Sequence, residues 1–305
     1  MKLGKLGVQA NFERQIAFFE NDTAVAKGLP TAATMARLAV RLEELGYAAV
    51  WSPEGFGRNP FVASSWLLAN TSRLIVATGI ATIYGRDPVA SATAMHALNE
   101  QSGGRFLLGL GVSHGEVLTM RGMTEVPKPL GAMSSYLDAM GKLAYASAPA
   151  PEKPLVVLAA LRDRMMALAA RAADGAYTSS STPGHTARAR GILGPGKLLC
   201  VGQRVILEEN PVIARKLARA DMHVHVGLEN YRNHWRELGF SDEDWLEGGS
   251  DRLIDSLVAW GDEAKLRRLI QEHHDAGADH VCIRPITTGG ALDMRVLERL
   301  APGRA

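Results

Sequence analysis

The chain has 305 residues, of which 34 are basic and 32 acidic, so its formal net charge is only +2 at pH 7. Nucleic-acid binding usually needs a concentrated basic face, and no long basic block is present, so this function class is disfavoured. The content of 47% hydrophobic and 22% charged residues excludes wholesale disorder. No apolar run approaches ~18 residues and the first residues lack a hydrophobic signal core, so we expect a soluble cytoplasmic protein with no membrane partner.

Apolar runs that predict strands alternate with segments of helical periodicity along the whole chain. Strands are predicted at 5–10, 47–51, 74–78, 106–110, 155–159, 176–178, 198–207 and 279–284. Helices are predicted at 31–45, 61–72, 88–101, 133–145, 163–173 and 292–300. The segment 210–275 is predicted to be helical with breaks at its glycines, and 179–196 to be an exposed loop with at most a short helix.

This alternation predicts the fold class. Strands separated by helices pair in parallel through right-handed crossovers. Eight such units over residues 1–305, with no clean linker between them, predict a single α/β domain, a closed (β/α)8 TIM barrel with insertions. The alternative is a doubly wound open sheet. No G-x-G-x-x-G motif follows an early strand, which argues against a Rossmann-type NAD site.

The fourth predicted strand marks the candidate site. Residues Phe106 to Leu110 are apolar or glycine without alternation, as in a strand that is covered on both faces. The run stops in Gly111-Val112-Ser113-His114, whose small and polar groups cannot continue a core. Because the loops after parallel strands converge at one end of the sheet, we interpret 111–114 as the floor of an active site.

The cysteines and histidines show neither a disulfide pattern nor a metal-binding pattern. Cys200 and Cys282 both lie in apolar, strand-like runs, so we predict buried free thiols in a protein of a reducing compartment. No metal site is predicted, because the spacing within the histidine pairs His223/His225 and His273/His274 does not match that of metal ligands.

Five segments of the chain carry a family resemblance. They are 43–51 (EELGYAAVW), 77–82 (ATGIAT) with RDP at 86–88, 102–111 (SGGRFLLGLG), 171–175 (RAADG) and 276–281 (AGADHV). With these segments in order over 5–300, the chain resembles the luciferase-like monooxygenase superfamily, in particular its coenzyme F420-dependent branch. The resemblance implies a TIM barrel with insertions, usually a homodimer, that holds a deazaflavin or flavin at its C-terminal mouth. It also implies a non-prolyl cis peptide at Gly79-Ile80, for which an ordinary strand-end bulge is the alternative.

The resemblance implies two candidate catalytic residues. Glu54 stands where the family commonly carries an acid that hydrogen-bonds the deazaflavin or the substrate, and a solvated loop carboxylate is the alternative. His114 stands where related enzymes place a glutamate or histidine facing the substrate, and a neutral imidazole can relay protons near pH 7. A structural histidine is the alternative. Gly55 and Thr182 replace the catalytic histidine and a lysine of F420-dependent sugar-phosphate dehydrogenases, so that activity is disfavoured.

The resemblance also assigns binding positions. The cofactor ring is expected to contact Glu54, Thr78, Gly79, Ile80, Thr82, Gly111, Val112, Ser113 and Val117. The cofactor phosphate is expected where a strand runs directly into a helix and leaves free N–H groups, at Ala160, Leu161, Arg162, Arg164 and Met165. Relatives often carry gly-gly-pro where this chain has Leu161-Arg162-Asp163, so the arginines would compensate by pairing with phosphate or would simply begin a solvated helix. Substrate contacts are assigned to Trp51, Thr182 and Arg284, with packing as the alternative for Trp51.

The leading hypothesis for function is an oxidoreductase that uses coenzyme F420 to transfer a hydride to or from a small organic substrate. An FMN-dependent monooxygenase that uses oxygen is the first alternative. A non-catalytic, cofactor-binding member of the family is the second, and it is favoured by the glycine at position 55 and by the missing phosphate-loop glycines. The segments 115–150 and 179–196 are expected to shape the substrate pocket, and nothing in them names a ligand.

Overall fold

Eight parallel strands close into a barrel in this computed structural model, which describes residues 1–13, 16–17, 29–125, 127–287 and 291–303. The barrel strands are β1 (Leu6–Gln9), β3 (Ala49–Ser52), β4 (Ile75–Thr78), β6 (Phe106–Gly111), β7 (Leu155–Ala159), β8 (Gly175–Ser179), β9 (Leu198–Leu207) and β11 (His280–Pro285). Strand β1 pairs with β11, with Leu6 opposite Val281 and Val8 opposite Ile283, and this pairing closes the ring. The predicted TIM barrel is therefore confirmed, and the open-sheet alternative is wrong.

Helices connect the barrel strands and cover their outer surface. They are α1 (Ala32–Glu44), α2 (Pro60–Ala69), α3 (Pro88–Ser102), α4 (Gly115–Met120), α5 (Pro129–Gly141), α6 (Asp163–Ala172), α7 (Pro183–Leu193), α8 (Pro211–Gly227), α9 (Glu229–Glu237), α10 (Asp251–Leu257), α11 (Glu263–Asp275) and α12 (Met294–Arg299). Short 3-10 turns lie at Ile83–Gly85 and Asp242–Gly248. Among the helices described, none is both long enough and apolar enough to cross a bilayer.

The local sequence explains where these helices begin and end, as α3 shows. The Asp87 side chain accepts a hydrogen bond from the Ala90 amide, and Pro88 occupies the first helical position, where its missing N–H costs nothing. Gly103 ends the helix with φ of +67°, a left-handed conformation that glycine adopts without strain. The chain then enters β6, the strand that leads into the candidate site.

Three apolar clusters stabilise the fold: one inside the barrel, one between the strands and the surrounding helices, and one beside the barrel mouth. Inside, Trp51 stacks on Tyr177 with ring centroids 4.9 Å apart, and both cysteines are buried and free, as predicted. Burial raises the pKa of both thiols, so they stay protonated. Outside, the helices pack on the strands, and a separate apolar cluster joins α8, α9 and α10 to the end of β9. This cluster of α8, α9 and α10 holds the 211–257 segment over one side of the barrel mouth.

Two segments differ from the sequence-based prediction. Residues 183–193 form the helix α7 with Thr186 and Ala189 buried, although small and polar residues in 179–196 predict a loop. Within 210–275, residues Val258–Gly261 form the strand β10, although that segment is predicted to be helical. Strand β9 has ten residues and extends beyond β8, so β10 pairs with its free second half, with Val258 opposite Arg204.

Three further differences concern the bounds of predicted elements. Residues Ala81–Thr82 form β5, which pairs with the end of β6. Residues Leu292–Asp293 form β12, which pairs with β2 (Ile16–Ala17), so the last helix begins at Met294 rather than at Leu292. Helix α5 covers Pro129–Gly141, four residues earlier than the predicted 133–145 at both ends. None of these differences changes the barrel.

Candidate active site

A cavity of about 1330 Å³ opens at the C-terminal end of the barrel. Each of the eight barrel strands lines its wall through its own residues or those that directly follow it, with β9 contributing from its middle at Gly202 and Arg204. The first turns of α4, α6 and α9 also line the cavity. Ligand pockets for single small molecules usually measure roughly 300–1,000 Å³. The cavity therefore has room for a cofactor and a substrate together.

One wall of the cavity is a bulge between β4 and β5. The Gly79-Ile80 peptide bond in it is cis, as the sequence analysis predicts. The Thr78 hydroxyl donates to the Gly109 carbonyl at 2.7 Å and accepts from the Gly109 amide at 2.8 Å, which holds the end of β4 against β6. A Cβ on Gly111 would lie 2.4 Å from Cδ1 of Ile80, so a larger residue there would displace the Ile80 side chain.

Glu54 lines the cavity, but both of its carboxylate oxygens are already occupied. Oε1 accepts from Nη2 of Arg86 at 2.7 Å, and Oε2 accepts from Nη1 of Arg86 at 3.1 Å and from the Thr82 amide at 2.8 Å. Arg121 lies 3.5 Å from Oε1, and the Glu54 side chain is only 7% exposed. Because the bulge and the arginines beside it already occupy both oxygens, these contacts favour a role of Glu54 in fixing the bulge.

His114 is the better placed of the two predicted catalytic residues. Its ring packs against Tyr231 with centroids 5.3 Å apart, and its Nδ1 is buried with no hydrogen-bond partner among the described residues. Burial lowers the pKa of His114, and nearby Glu116 offsets only part of that effect, so the imidazole is neutral at pH 7. The preceding Ser113 has φ of +59°, a left-handed conformation that is uncommon for serine and is typical of functional sites.

The side of the cavity next to α6 is basic. Helix α6 has no side-chain cap at its N-terminus, so its first backbone N–H groups have no side-chain acceptor. Nε of Arg162 donates to Glu237 at 2.7 Å, so this arginine already has a partner. Lys128, Arg164 and Arg171 also line the cavity, are exposed, and make no hydrogen bond or ion pair with the described part of the chain. We call these three residues the basic rim.

Comparison with known proteins identifies the family. The family model for luciferase-like monooxygenases matches residues 15–280. The chain belongs to this family of enzymes. A Mycobacterium tuberculosis protein named as a coenzyme F420-dependent oxidoreductase is 33% identical over 103 residues, which cover 34% of this chain and 30% of that protein. The chain therefore matches less than a third of the length of this curated relative.

Several solved structures share the fold over nearly the whole chain. An F420-dependent secondary alcohol dehydrogenase, solved with an F420-acetone adduct, superposes with a TM-score of 0.74 at 12% identity over 98% of this chain and 97% of that one. The oxygenating constituent of 3,6-diketocamphane monooxygenase from Pseudomonas putida, solved with FMN, superposes with a TM-score of 0.66 at 15% identity over 98% and 97% of the two chains. At these identities the similarity establishes the fold alone.

Most of the predicted site residues of this family member lie on the cavity wall. They are Glu54, Gly79, Ile80, Gly111, Val112, Ser113, His114, Val117, Ala160, Leu161, Arg162, Arg164, Met165 and Arg284. Residues from five different strand ends thus meet in one cavity, which agrees with the expectation that the loops after parallel strands converge.

Four predicted contact residues are not on that wall. Thr78 is fully buried and uses its hydroxyl on Gly109, and Thr82 is buried and caps the 3-10 turn that follows it. Trp51 lies inside the barrel, and Thr182 caps α7 by accepting from an amide in its first turn. These four side chains lie behind the cavity wall, within the elements that form it.

A buried network that was not predicted from the sequence lies on the opposite side of the mouth from the bulge. Nε of Arg204 donates to Asp221 at 2.9 Å, and Arg284 binds the other oxygen of the same carboxylate. Nη1 of Arg204 donates to the Ser180 hydroxyl at 2.6 Å, and Nη2 donates to Nε2 of His225 at 3.0 Å. One signal was visible: an arginine in the apolar run of β9 must find a partner, because a buried charge is otherwise costly.

Proposed function

We propose that the protein is an F420-dependent oxidoreductase that transfers a hydride between the deazaflavin and a small organic substrate. The observation that carries this proposal is the cavity in which a neutral His114 lies between the bulge and the basic rim, with no hydrogen-bond partner for its Nδ1 among the described residues. The F420-dependent relative from Mycobacterium tuberculosis supports the choice of cofactor. A bound deazaflavin would supply the hydride acceptor or donor, and the protein would orient it.

The residues present suit such a cofactor. The uncapped start of α6 offers backbone N–H groups to a phosphate, as helix N-termini often do. Lys128, Arg164 and Arg171 would hold the further negative charges that F420 carries beyond its phosphate, since none of the three has a partner in the described residues. The backbone around Gly79 and Gly111 would support the ring. Arg162 donates to Glu237 through Nε alone, so its terminal N–H groups would be available to a phosphate.

His114 would handle the proton that accompanies the hydride. When an alcohol is oxidised, its hydroxyl proton must leave, and the neutral imidazole of His114 is a suitable acceptor. When a carbonyl is reduced, the same ring in its protonated form would return the proton. Glu54 would act only through the bulge that it holds, because Arg86 and the Thr82 amide occupy its oxygens.

A titration with F420 and with FMN, followed by quenching of the fluorescence of the five tryptophans, tests the proposal. We expect F420 to bind at micromolar concentration and FMN more weakly. Tight binding of FMN alone would favour the second candidate, a flavin monooxygenase, which the FMN-bound structural relative supports. Binding of F420 without turnover of any alcohol or ketone would favour a non-catalytic family member. Binding of neither cofactor would refute the oxidoreductase proposal.

Removing charge from the basic rim should weaken F420 binding. A Lys128→Ala/Arg164→Ala variant loses two exposed cations that face the cavity, and we expect the Kd for F420 to rise about tenfold to a hundredfold, with the larger effect at low salt. The matched control is Lys216→Ala/Arg268→Ala, which removes two exposed cations from α8 and α11 outside the cavity wall. Equal Kd values in both variants would show that the rim does not bind the cofactor.

Replacing His114 by asparagine should lower turnover about a hundredfold, which is the low end of the usual contribution of a proton-transfer residue. In the direction of alcohol oxidation, the parent enzyme should lose activity as the pH falls through the depressed pKa of His114, below the ordinary value of 6.5. The activity of the variant should not show this fall at low pH, and its Kd for F420 should stay the same. His96→Asn is the control, since that ring stacks on Tyr145 away from the cavity wall. A variant with an unchanged pH profile would exclude His114.

The family resemblance also suggests a homodimer in the cytoplasm. Helix α2 exposes Val62 at 71% and Trp66 at 44%, which gives the surface apolar side chains that a second copy could cover. Light scattering on the eluted protein would measure the mass of the assembly directly, and a mass of one chain would refute the dimer.

A further inference from the structure

His225 carries a proton whose position the structure defines. A guanidinium group has only donors, so the bond from Nη2 of Arg204 at 3.0 Å requires an unprotonated Nε2 on His225. The neutral ring must then carry its proton on Nδ1. Burial and the neighbouring charges of Arg204 and Arg284 lower the pKa of His225 well below its ordinary value, which agrees with a neutral ring.

That Nδ1–H group lacks an acceptor in the described part of the chain. Nδ1 of His225 is buried and has no hydrogen-bond partner among the described residues. A buried donor without an acceptor costs the protein stability, and such groups are rare in folded chains. The cost is recovered when a ligand supplies an oxygen acceptor.

The position of His225 separates it from the expected cofactor ring. His225 lines the cavity beside Arg204 of β9 and Arg284 of β11, whereas the bulge follows β4. In the closed barrel, β9 and β11 are separated from β4 and β6 by β7 and β8 on one side and by β1 and β3 on the other. A ligand at His225 would therefore face the cofactor ring across the mouth, which is the place for a substrate.

Tyr231 closes this position. Its ring packs edge-on against His225 with centroids 5.0 Å apart and also packs against His114 at 5.3 Å. Tyr231 lies in the first turn of α9, where no side chain caps the helix. Because Nδ1 of His225 is enclosed, a ligand can reach it only after a neighbouring group has moved, and Tyr231, which packs on His225 and lines the same cavity, is the candidate for that group.

We propose that His225 is a substrate-binding residue whose Nδ1–H donates to the carbonyl oxygen of a small ketone or aldehyde once Tyr231 has turned aside. This assignment rests on the hydride transfer proposed above. Hydride from the reduced deazaflavin would form the new C–H bond, the π electron pair of the carbonyl would move onto its oxygen, and a proton delivered through His114 would complete the alcohol. The N–H group and the net positive Arg204, Asp221 and Arg284 set would stabilise the charge that develops on that oxygen.

The first test is the tautomer in the full-length protein without cofactor. In a ¹⁵N spectrum of histidine-labelled protein at pH 7, the His225 signal is identified by its absence from a His225→Asn variant. We expect the pattern of a neutral ring with the proton on Nδ1. A proton on Nε2, or a doubly protonated ring, would overturn the proposal.

The second test is a pair of ligands of the same shape, cyclohexanone and methylenecyclohexane, of which only the ketone has an oxygen acceptor. We expect the ketone to shift the His225 Nδ1 signal and methylenecyclohexane to leave it unmoved. His225→Phe should weaken ketone binding about tenfold, and His225→Asn, which places an N–H donor close to the Nδ1 position, should retain it. Tyr231→Ala should strengthen ketone binding, and His223→Phe, an exposed histidine on the same helix, should change nothing.

A ketone titration that leaves the His225 signal unmoved would overturn the proposal, and so would equal ketone affinity in His225→Phe. A signal that moves when F420 is added and no longer responds to the ketone would assign His225 to the cofactor and also overturn it. Because the ketone titration uses no cofactor, its failure is distinct from failure of the proposed function, which the F420 and FMN titrations decide.

Discussion

An Asp221→Asn variant should unfold with a free energy about 3–5 kcal/mol below that of the parent protein, the usual cost of removing one partner of a buried ion pair. The Asp221 side chain is fully buried and takes part in ion pairs with both Arg204 and Arg284, whose side chains are 5% and 14% exposed. An amide has almost the same shape but no charge, so it leaves two buried guanidinium groups without the carboxylate between them. Urea unfolding followed by circular dichroism measures the difference.

The matched control is Asp242→Asn, which removes an exposed ion pair with Arg236 from the same part of the chain. The Asp242 side chain is 75% exposed, so its loss should change the free energy of unfolding by less than about 1 kcal/mol. Asp221→Glu keeps the charge and should fall between the parent and Asp221→Asn, which gives a second measurement if the asparagine variant does not fold. A loss below about 1 kcal/mol for Asp221→Asn would show that the two arginines are stabilised in another way.

Lowering the pH from 7 to 5 should destabilise the protein strongly. Burial lowers the pKa of His234 to about 3 and the pKa values of His273 and His280 to about 4, whereas the unfolded chain titrates near 6.5. As the pH falls below 6.5, the unfolded chain binds protons that the folded chain cannot, so stability falls. Each histidine contributes about 1.4 kcal/mol per pH unit once the unfolded chain is protonated.

A hydrogen bond adds to the effect of burial at His280. Nε2 of His280 accepts from Nε1 of Trp51 at 3.0 Å, and because an indole can only donate, a proton on Nε2 would break this bond. Most carboxylates titrate below pH 5, so the range from 6.5 to 5 isolates the histidines. Urea unfolding at pH 7.5, 6.5, 5.5 and 5.0 measures how steeply the free energy of unfolding depends on pH. His280→Gln should reduce this slope by the contribution of one histidine, about 1.4 kcal/mol per pH unit. A constant free energy of unfolding over this range would contradict the buried neutral rings.

The barrel itself could be predicted because its signals are local. The unbroken apolar run of β6, the helix-ending glycine at 103 and the proline at 88 each act within a few residues. Helix α7 was predicted only as a loop with at most a short helix, although Thr182 and Pro183 form a good helix start, because its small and polar composition resembles a loop. Strand β10 was missed because it exists only where the longer β9 leaves an edge unpaired.

The candidate site could be predicted only in part, because local signals identify strand ends but not the contacts between distant segments. The residues that follow strands, such as Ile80, Ser113, His114 and Arg164, meet in the cavity because parallel strands end together. The contacts of Glu54 could not be foreseen, since its partner Arg86 lies 32 residues away. The partners Arg204 and His225 are 21 residues apart and belong to a strand and a helix whose relative placement is not encoded in either segment.

By itself, the sequence determined the alternation of strands and helices, the strand ends at which chemistry gathers, and the family resemblance, since all three depend on residues close together along the chain. Only the tertiary structure decided that Trp51 points into the barrel, that Glu54 is held by arginines, and that Asp221 joins Arg204 to Arg284. Successive residues of a strand face opposite sides, so closure and register decide which side chains meet. Closure and register depend on how all the strands and helices of the barrel pack together, and no single segment of the sequence specifies that packing.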